Sequence, residues 1–172
     1  MRVYTIGHST RPIEVFIELL EAHGIKQLYD IRSIPHSRRH PHFSQGALAA
    51  ALGEAGIVYR HAPALGGRRK PRRDSVNTAW RVEGFRGYAD YMETDAFRDA
   101  LDQLVRIARD TPTAIMCAEA VWWRCHRQLV ADALVARGVE VGHISSTSAA
   151  KPHTLTDFAQ VVEGRVSYRR LI

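Results

Sequence analysis

The stretch MCAEAVWWRCHRQLVADAL, Met116 to Leu134, holds both cysteines of the chain, Cys117 and Cys125, together with Glu119, Arg124, His126 and Arg127. Thiols beside an imidazole, guanidiniums and a carboxylate are the materials of nucleophilic catalysis, because the thiolate is the reactive form and nearby positive charge stabilises it. Cys117 and Glu119 stand two residues apart, so they point to one side if the strand persists. Cys125 and His126 are expected in the first turn of the following helix, whose N-terminus offers free N–H groups and partial positive charge. Glu119 is the expected general acid/base, tuned toward neutral pH if Trp122 and Trp123 form an apolar lid over it. Cys117 or Cys125 is the expected nucleophile.

Other readings of the same block stay open. The spacing Cys117 to Arg124 is near that of anion-cradling loops in thiol phosphatases and rhodaneses, but it is one residue longer than the phosphatase loop and lacks its glycines. Cys117, Glu119, Cys125 and His126 could supply ligands for zinc or iron, although no CxxC pair is present and adjacent Cys125-His126 is awkward for joint ligation. No cofactor is otherwise expected. Alternatively the thiols are core packing, since free cysteine is among the most buried residue types.

These residues need a scaffold, and the hydrophobic pattern supplies one. Val3 to Ile6 reads as a strand ended by Gly7. Pro12 opens a helix with Ile13, Phe16, Ile17 and Leu20 on one face, stopped at Gly24. Gln27 to Ile31 and Ile57 to Arg60 read as further strands, with a helix from Ser44 to Ala55 between them. A long irregular basic loop, His61 to Tyr91, separates these from a helix around Asp95 to Arg109. Then follow a strand at Thr113 to Cys117, a helix at Arg124 to Arg137 and a strand at Val139 to Ile144. A small hairpin is expected around Glu163-Gly164. Strands alternating with helices argue a single α/β domain over residues 1–172, with a mainly parallel sheet flanked by helices.

Ligands of such sheets bind beyond the C-terminal ends of the strands. That edge collects His8 and Ser9 after the first strand, Asp30 and Arg32 after the second, His61 after the third, Cys117 and Glu119 after the fourth, and His143 after the fifth. Ser9 and Thr10 are explained as helix caps, whereas His8 is read as a site residue. Asp30 and Arg32 form either an orienting or a plain structural ion pair. His8, Ser9, Asp30, Arg32, His61, Arg124 and Arg127, with His126, are the expected anion-holding set.

The segments TIGHST, YDIRSIPHSRR, YRHAPALGG, FRGYADYM and AIMCAEAVWWRCHR together resemble the DUF488 family of bacterial and archaeal proteins, in order over nearly the whole chain. The block Cys-Ala-Glu-Ala…Cys-His-Arg is the most specific part. Where that family often has Pro at Trp122 or its neighbour, this chain has two tryptophans, so the pocket wall is expected to differ. The resemblance implies the fold class and no settled activity.

The balance of charge bears on partners. The chain of 172 residues has a net charge of +6 and a pI of about 9.7, which favours anionic partners such as nucleic acid or nucleotides. Arg68, Arg69, Lys70, Arg72 and Arg73 form a strip suited to phosphates, and HSRRHPHF, His36 to Phe43, adds a second basic cluster. Trp80 and Tyr88 are either stacking faces for bases or ordinary packing. The start, MRVYTIGHS, shows no signal-peptide pattern and no stretch is long and apolar enough for a membrane helix, so a cytoplasmic protein with reduced thiols and no membrane contact is expected. The leading expectation is an enzyme acting on a nucleotide, nucleic acid or other phosphorylated substrate, as a thiol- or Glu-dependent hydrolase or transferase. The alternatives are a non-catalytic nucleic-acid-binding module with structural thiols and a Cys/His metal-dependent enzyme. Oligomeric state is not legible.

Overall fold

The computed structural model describes residues 1–170. Five strands run parallel, β1 (Arg2–Gly7), β2 (Gln27–Asp30), β3 (Val58–His61), β4 (Thr113–Cys117) and β5 (Glu140–Ile144), and a short antiparallel β6 (Lys151–Pro152) closes one edge. Their order is β3-β2-β4-β1-β5-β6. The hairpin expected at Glu163-Gly164 forms as β7 (Gln160–Val162) with β8 (Arg165–Ser167), and Glu163 and Gly164 both take positive φ at its turn.

The helices are α1 (Ile13–Ala22), α2 (Gln45–Glu54), α3 (Glu83–Tyr91), α4 (Asp95–Asp110) and α5 (Arg127–Ala136). Alternation along β1 and β4 divides the core. Ile6, Ala114 and Met116 pack with Phe16 and Leu20 of α1 and Leu48 and Leu52 of α2, while Val3 and Ile115 pack with α3, α4 and α5 on the other face. The chain leaves β1 toward one face and β4 toward the other. A crevice therefore opens above the carboxyl ends of these two neighbouring strands.

Several expected boundaries move. The helix expected from Arg124 begins at Arg127, because Trp122–Arg124 form a 3-10 turn and Cys125 is extended. Cys125 thus precedes the helix instead of lying in its first turn. The loop expected to be irregular to Tyr91 contains α3. Its remainder is fastened by the buried Asp90 carboxylate, which accepts the backbone N–H of Arg72, the Ser75 hydroxyl and the Asn77 amide. Trp80 and Tyr88 are packing residues, 8% and 1% exposed, so they offer no face to a base. The cap of α1 is Pro12, with no side-chain cap, which overturns the capping role given to Ser9 and Thr10. Ser9 instead sits at φ 50 in the turn, its N–H bonded to the Ala118 carbonyl. Among the described residues, no helix is long and apolar enough to cross a membrane.

Candidate functional site

Strand periodicity places Thr5 of β1 and Cys117 of β4 on the face that α5 covers. Arg127, the first residue of α5, reaches between them and is 1% exposed. Its Nε donates to Cys117 Sγ at 3.0 Å, Nη1 to Thr5 Oγ1 at 3.1 Å, and Nη2 to the carbonyls of Glu119 and Ala120 at 2.7 and 3.3 Å. No carboxylate among the described residues forms an ion pair with it. Arg127 was expected to hold a substrate anion, but its guanidinium is consumed inside the protein and the group it holds is the Cys117 sulfur.

That contact sets the thiol chemistry. Burial pushes the Cys117 thiol up, but the nearby Cys125 thiol and the charge of Arg127 outweigh it, and Cys117 lies below its ordinary value. Cys125 is pushed well above the ordinary range, by burial first and then by the nearby Cys117. Cys125 is therefore the thiol of the two that keeps its proton. Its Sγ also lies 3.4 Å from Nδ1 of His126. The Nε2 of that ring donates to the Ile31 carbonyl at 2.9 Å, which leaves Nδ1 as an acceptor. Burial pushes His126 down to about 4, so the ring is neutral near pH 7.

An open cleft of about 540 Å³ lies over the two thiols. The expected residues His8, Arg32, Cys117, Glu119, Arg124, Cys125 and His126 line it, together with Arg68 at the rim and an apolar wall containing Ile34, Val82 and Phe85. Asp30 and His61 stand behind Arg32 instead of lining the cleft. Asp30 grips Arg32 through Nε at 2.9 Å and Nη2 at 2.8 Å, and His61 Nε2 donates to the Arg32 carbonyl at 2.8 Å. His8 donates from Nδ1 to the Ser9 carbonyl at 2.9 Å and stacks on Phe43 at 4.3 Å. Its Nε2 accepts from Arg32 at 3.4 Å. Burial pushes His8 down to about 4.

Glu119 is exposed, and its carboxyl makes no hydrogen bond or ion pair among the described residues. The expected tryptophan lid does not cover it: Trp122 stacks face to face on His143 at 4.4 Å, and Trp123 is 51% exposed. Of the basic strip, Arg68, Lys70 and Arg73 are exposed. Arg69 lies over the Tyr91 ring at 3.7 Å, and Arg72 pairs with Glu93 at 2.5 Å. Among the described residues, no group of three or more His, Cys, Asp or Glu side chains is placed to hold a metal ion.

Behind the thiols runs a polar chain that was not anticipated. Thr5 Oγ1 meets His143 Nδ1 at 2.6 Å, His143 Nε2 meets His153 Nδ1 at 2.8 Å, and His153 Nε2 meets Asp132 Oδ1 at 2.8 Å. Arg127 can only donate and the Asp132 carboxylate only accept, so the ends fix the direction of every hydrogen between them. Asp132 also accepts from the Thr156 N–H and hydroxyl and from the Tyr168 hydroxyl. Thr5 and His143 are 138 positions apart, so no local pattern joins them; the one sequence signal was His143 at a strand end.

A family model described as Domain of unknown function DUF488 matches residues 12–134, in agreement with the motif resemblance. No curated protein and no solved structure matches the chain significantly.

Proposed function

The chain belongs to the DUF488 family, and from that premise we propose that it is a thiol-dependent hydrolase or transferase acting on a nucleotide, nucleic acid or other phosphorylated substrate, with Cys117 as its nucleophile. One observation carries the reading: the buried Arg127 guanidinium has no carboxylate partner among the described residues and sets its Nε 3.0 Å from Cys117 Sγ. A buried cation needs a counter-charge, and the Cys117 thiolate is the group within reach.

The other roles follow from position. Arg32, Arg68 and Arg124 line the cleft and would take the anionic group. Asp30 and His61 hold Arg32 in place. Ile34, Val82 and Phe85 would cover an apolar part of the substrate, which favours a nucleotide over a bare phosphate ester. Cys117 would attack the electrophilic centre to form a covalent adduct, the leaving group taking its proton from water, and Glu119, which also lines the cleft, would be the base for the release step. Water or a second substrate would then release the adduct. The non-catalytic nucleic-acid-binding reading keeps Arg68, Lys70 and Arg73 as exposed cations but loses the stacking faces of Trp80 and Tyr88.

The test is the ultraviolet absorbance of thiolate against pH, wild type minus Cys117→Ser, followed by nucleoside monophosphate titrations. The Cys117 midpoint is expected to lie below the free-thiol value of ~8.5, with binding that weakens as salt rises. A Cys117 midpoint at or above the free-thiol value of ~8.5 would overturn the nucleophile.

A further inference from the structure

Nucleophilic attack by Cys117 leaves the second thiol without a task. Cys125 is nevertheless built into the site. The same residue holds both sulfurs: Arg127 donates from Nε to Cys117 Sγ at 3.0 Å and from its backbone N–H to Cys125 Sγ at 3.5 Å. Both thiols are free and line one cleft. A base stands beside Cys125, because the lone pair of His126 Nδ1 faces its sulfur at 3.4 Å while Nε2 is tied to the Ile31 carbonyl. A sulfur held by a cation, a second sulfur held by the same residue in the same cleft and a proton acceptor beside that second sulfur are the parts of a two-thiol redox centre.

We propose that Cys117 and Cys125 form a hydroperoxide-reactive pair, in which Cys117 is the site of oxidation and Cys125 resolves it as an intramolecular disulfide. The inference rests on the thiolate reading of Cys117 and extends it to a second reaction of the same sulfur. In the first step the Cys117 thiolate attacks one peroxide oxygen. An S–O bond forms, the O–O bond breaks, and the departing hydroxide or alkoxide takes a proton from water. Cys117 is oxidised by two electrons to a sulfenic acid and the peroxide is reduced by two. In the second step Cys125 attacks the Cys117 sulfur as its proton passes by way of His126 to the departing hydroxide. An S–S bond forms, the S–O bond breaks, and the hydroxide leaves as water. An external dithiol restores the pair.

Cys117 is 2% and Cys125 6% exposed and both line the open cleft, through which hydrogen peroxide would reach them. Oxidation would occupy the proposed nucleophile, and the protein would lose that activity until it is reduced.

The experiment treats wild type, Cys117→Ser and Cys125→Ser with stoichiometric hydrogen peroxide and reads intact mass without reductant. Wild type is expected to lose two hydrogens and both free thiols, reversibly with dithiothreitol, and roughly tenfold faster than free cysteine at neutral pH. Cys125→Ser should stop at a sulfenic acid that dimedone captures, and Cys117→Ser should keep its remaining thiol reduced. Wild type that gains oxygen without losing two hydrogens overturns the pair, as does oxidation of Cys125 at an unchanged rate in Cys117→Ser. The absorbance titration separates the two readings. If the Cys117 midpoint lies below the free-thiol value of ~8.5 and no disulfide forms, the redox pair fails and the nucleophile stands. If Cys117 titrates as an ordinary thiol, both fall.

Discussion

Arg127 joins the two halves of the chemistry, because its side chain holds Cys117 while its other nitrogen binds the Thr5 end of the buried polar chain. Removing its charge should move the thiol most. In Arg127→Met the Cys117 absorbance midpoint is expected to rise toward the free-thiol value of ~8.5, since the cation that opposes burial is lost and only Cys125 and the Glu119 backbone remain to lower it. Arg127→Lys keeps a cation but not the planar fork, and its midpoint should fall between the two. If Arg127→Met leaves the midpoint unchanged in a folded protein, Cys125 alone sets it. The sequence made Cys117, Cys125, Glu119 and His126 legible because they crowd one stretch. Thr5, Asp132 and His153 were not, because each is an ordinary polar residue until the sheet brings it to its neighbour.

At the level of elements, close approach of backbone decides which glycines matter. A Cβ on Gly7, at the end of β1, would lie 1.7 Å from the Glu119 carbonyl oxygen, the same oxygen that accepts from Arg127. Gly7→Ala is expected to lower stability by about 3 kcal/mol and to disturb the thiol site. Gly53 in α2 has nothing within 4 Å of such a Cβ, so Gly53→Ala should stabilise by about 0.5–1 kcal/mol through helix propensity. Thermal melts of both variants, with thiolate absorbance on the first, check this; equal shifts for the two would overturn it. The same level shows why α3 escaped periodicity. Gly84 and Gly87 dilute its pattern, and Gly87 is required where the Arg69 carbonyl would stand 2.0 Å from a Cβ. The start of α5 was read too early because Trp122–Arg124 has helical composition but closes as a 3-10 turn. Within α5, Asp132 is buried among four donors. Asp132→Asn removes the charge and one of the two accepting oxygens, and the Thr156 and Tyr168 hydroxyls must turn to accept from the new amide, so a loss on the order of 3 kcal/mol is expected by urea denaturation.

For the whole molecule, alternation of strand and helix was enough to read a mainly parallel sheet and the edge above which the cleft opens. The insertion of β4 between β1 and β2 was not legible, because pairing order leaves no trace in local periodicity. The assembled fold also has a property that no single segment shows. His8 and His126 are pushed down to about 4 and His143 to about 3, each by burial first. The unfolded chain takes up these protons near the ordinary histidine value of ~6.5. Between that value and about 4, the unfolded state therefore binds more protons than the folded one, and stability rises with pH across the window. Each fully engaged histidine contributes a slope of about 1.4 kcal/mol per pH unit. Urea midpoints should hold near pH 7, then fall steeply from pH ~6 to ~4.5, before the carboxylates are widely protonated. His126→Gln keeps a polar side chain beside Ile31 and Cys125 without a titrating ring, so its curve should be shallower by one such share. A wild-type midpoint that stays level through this window would mean that the three rings protonate in place and that the site above the sheet is open enough to hydrate them.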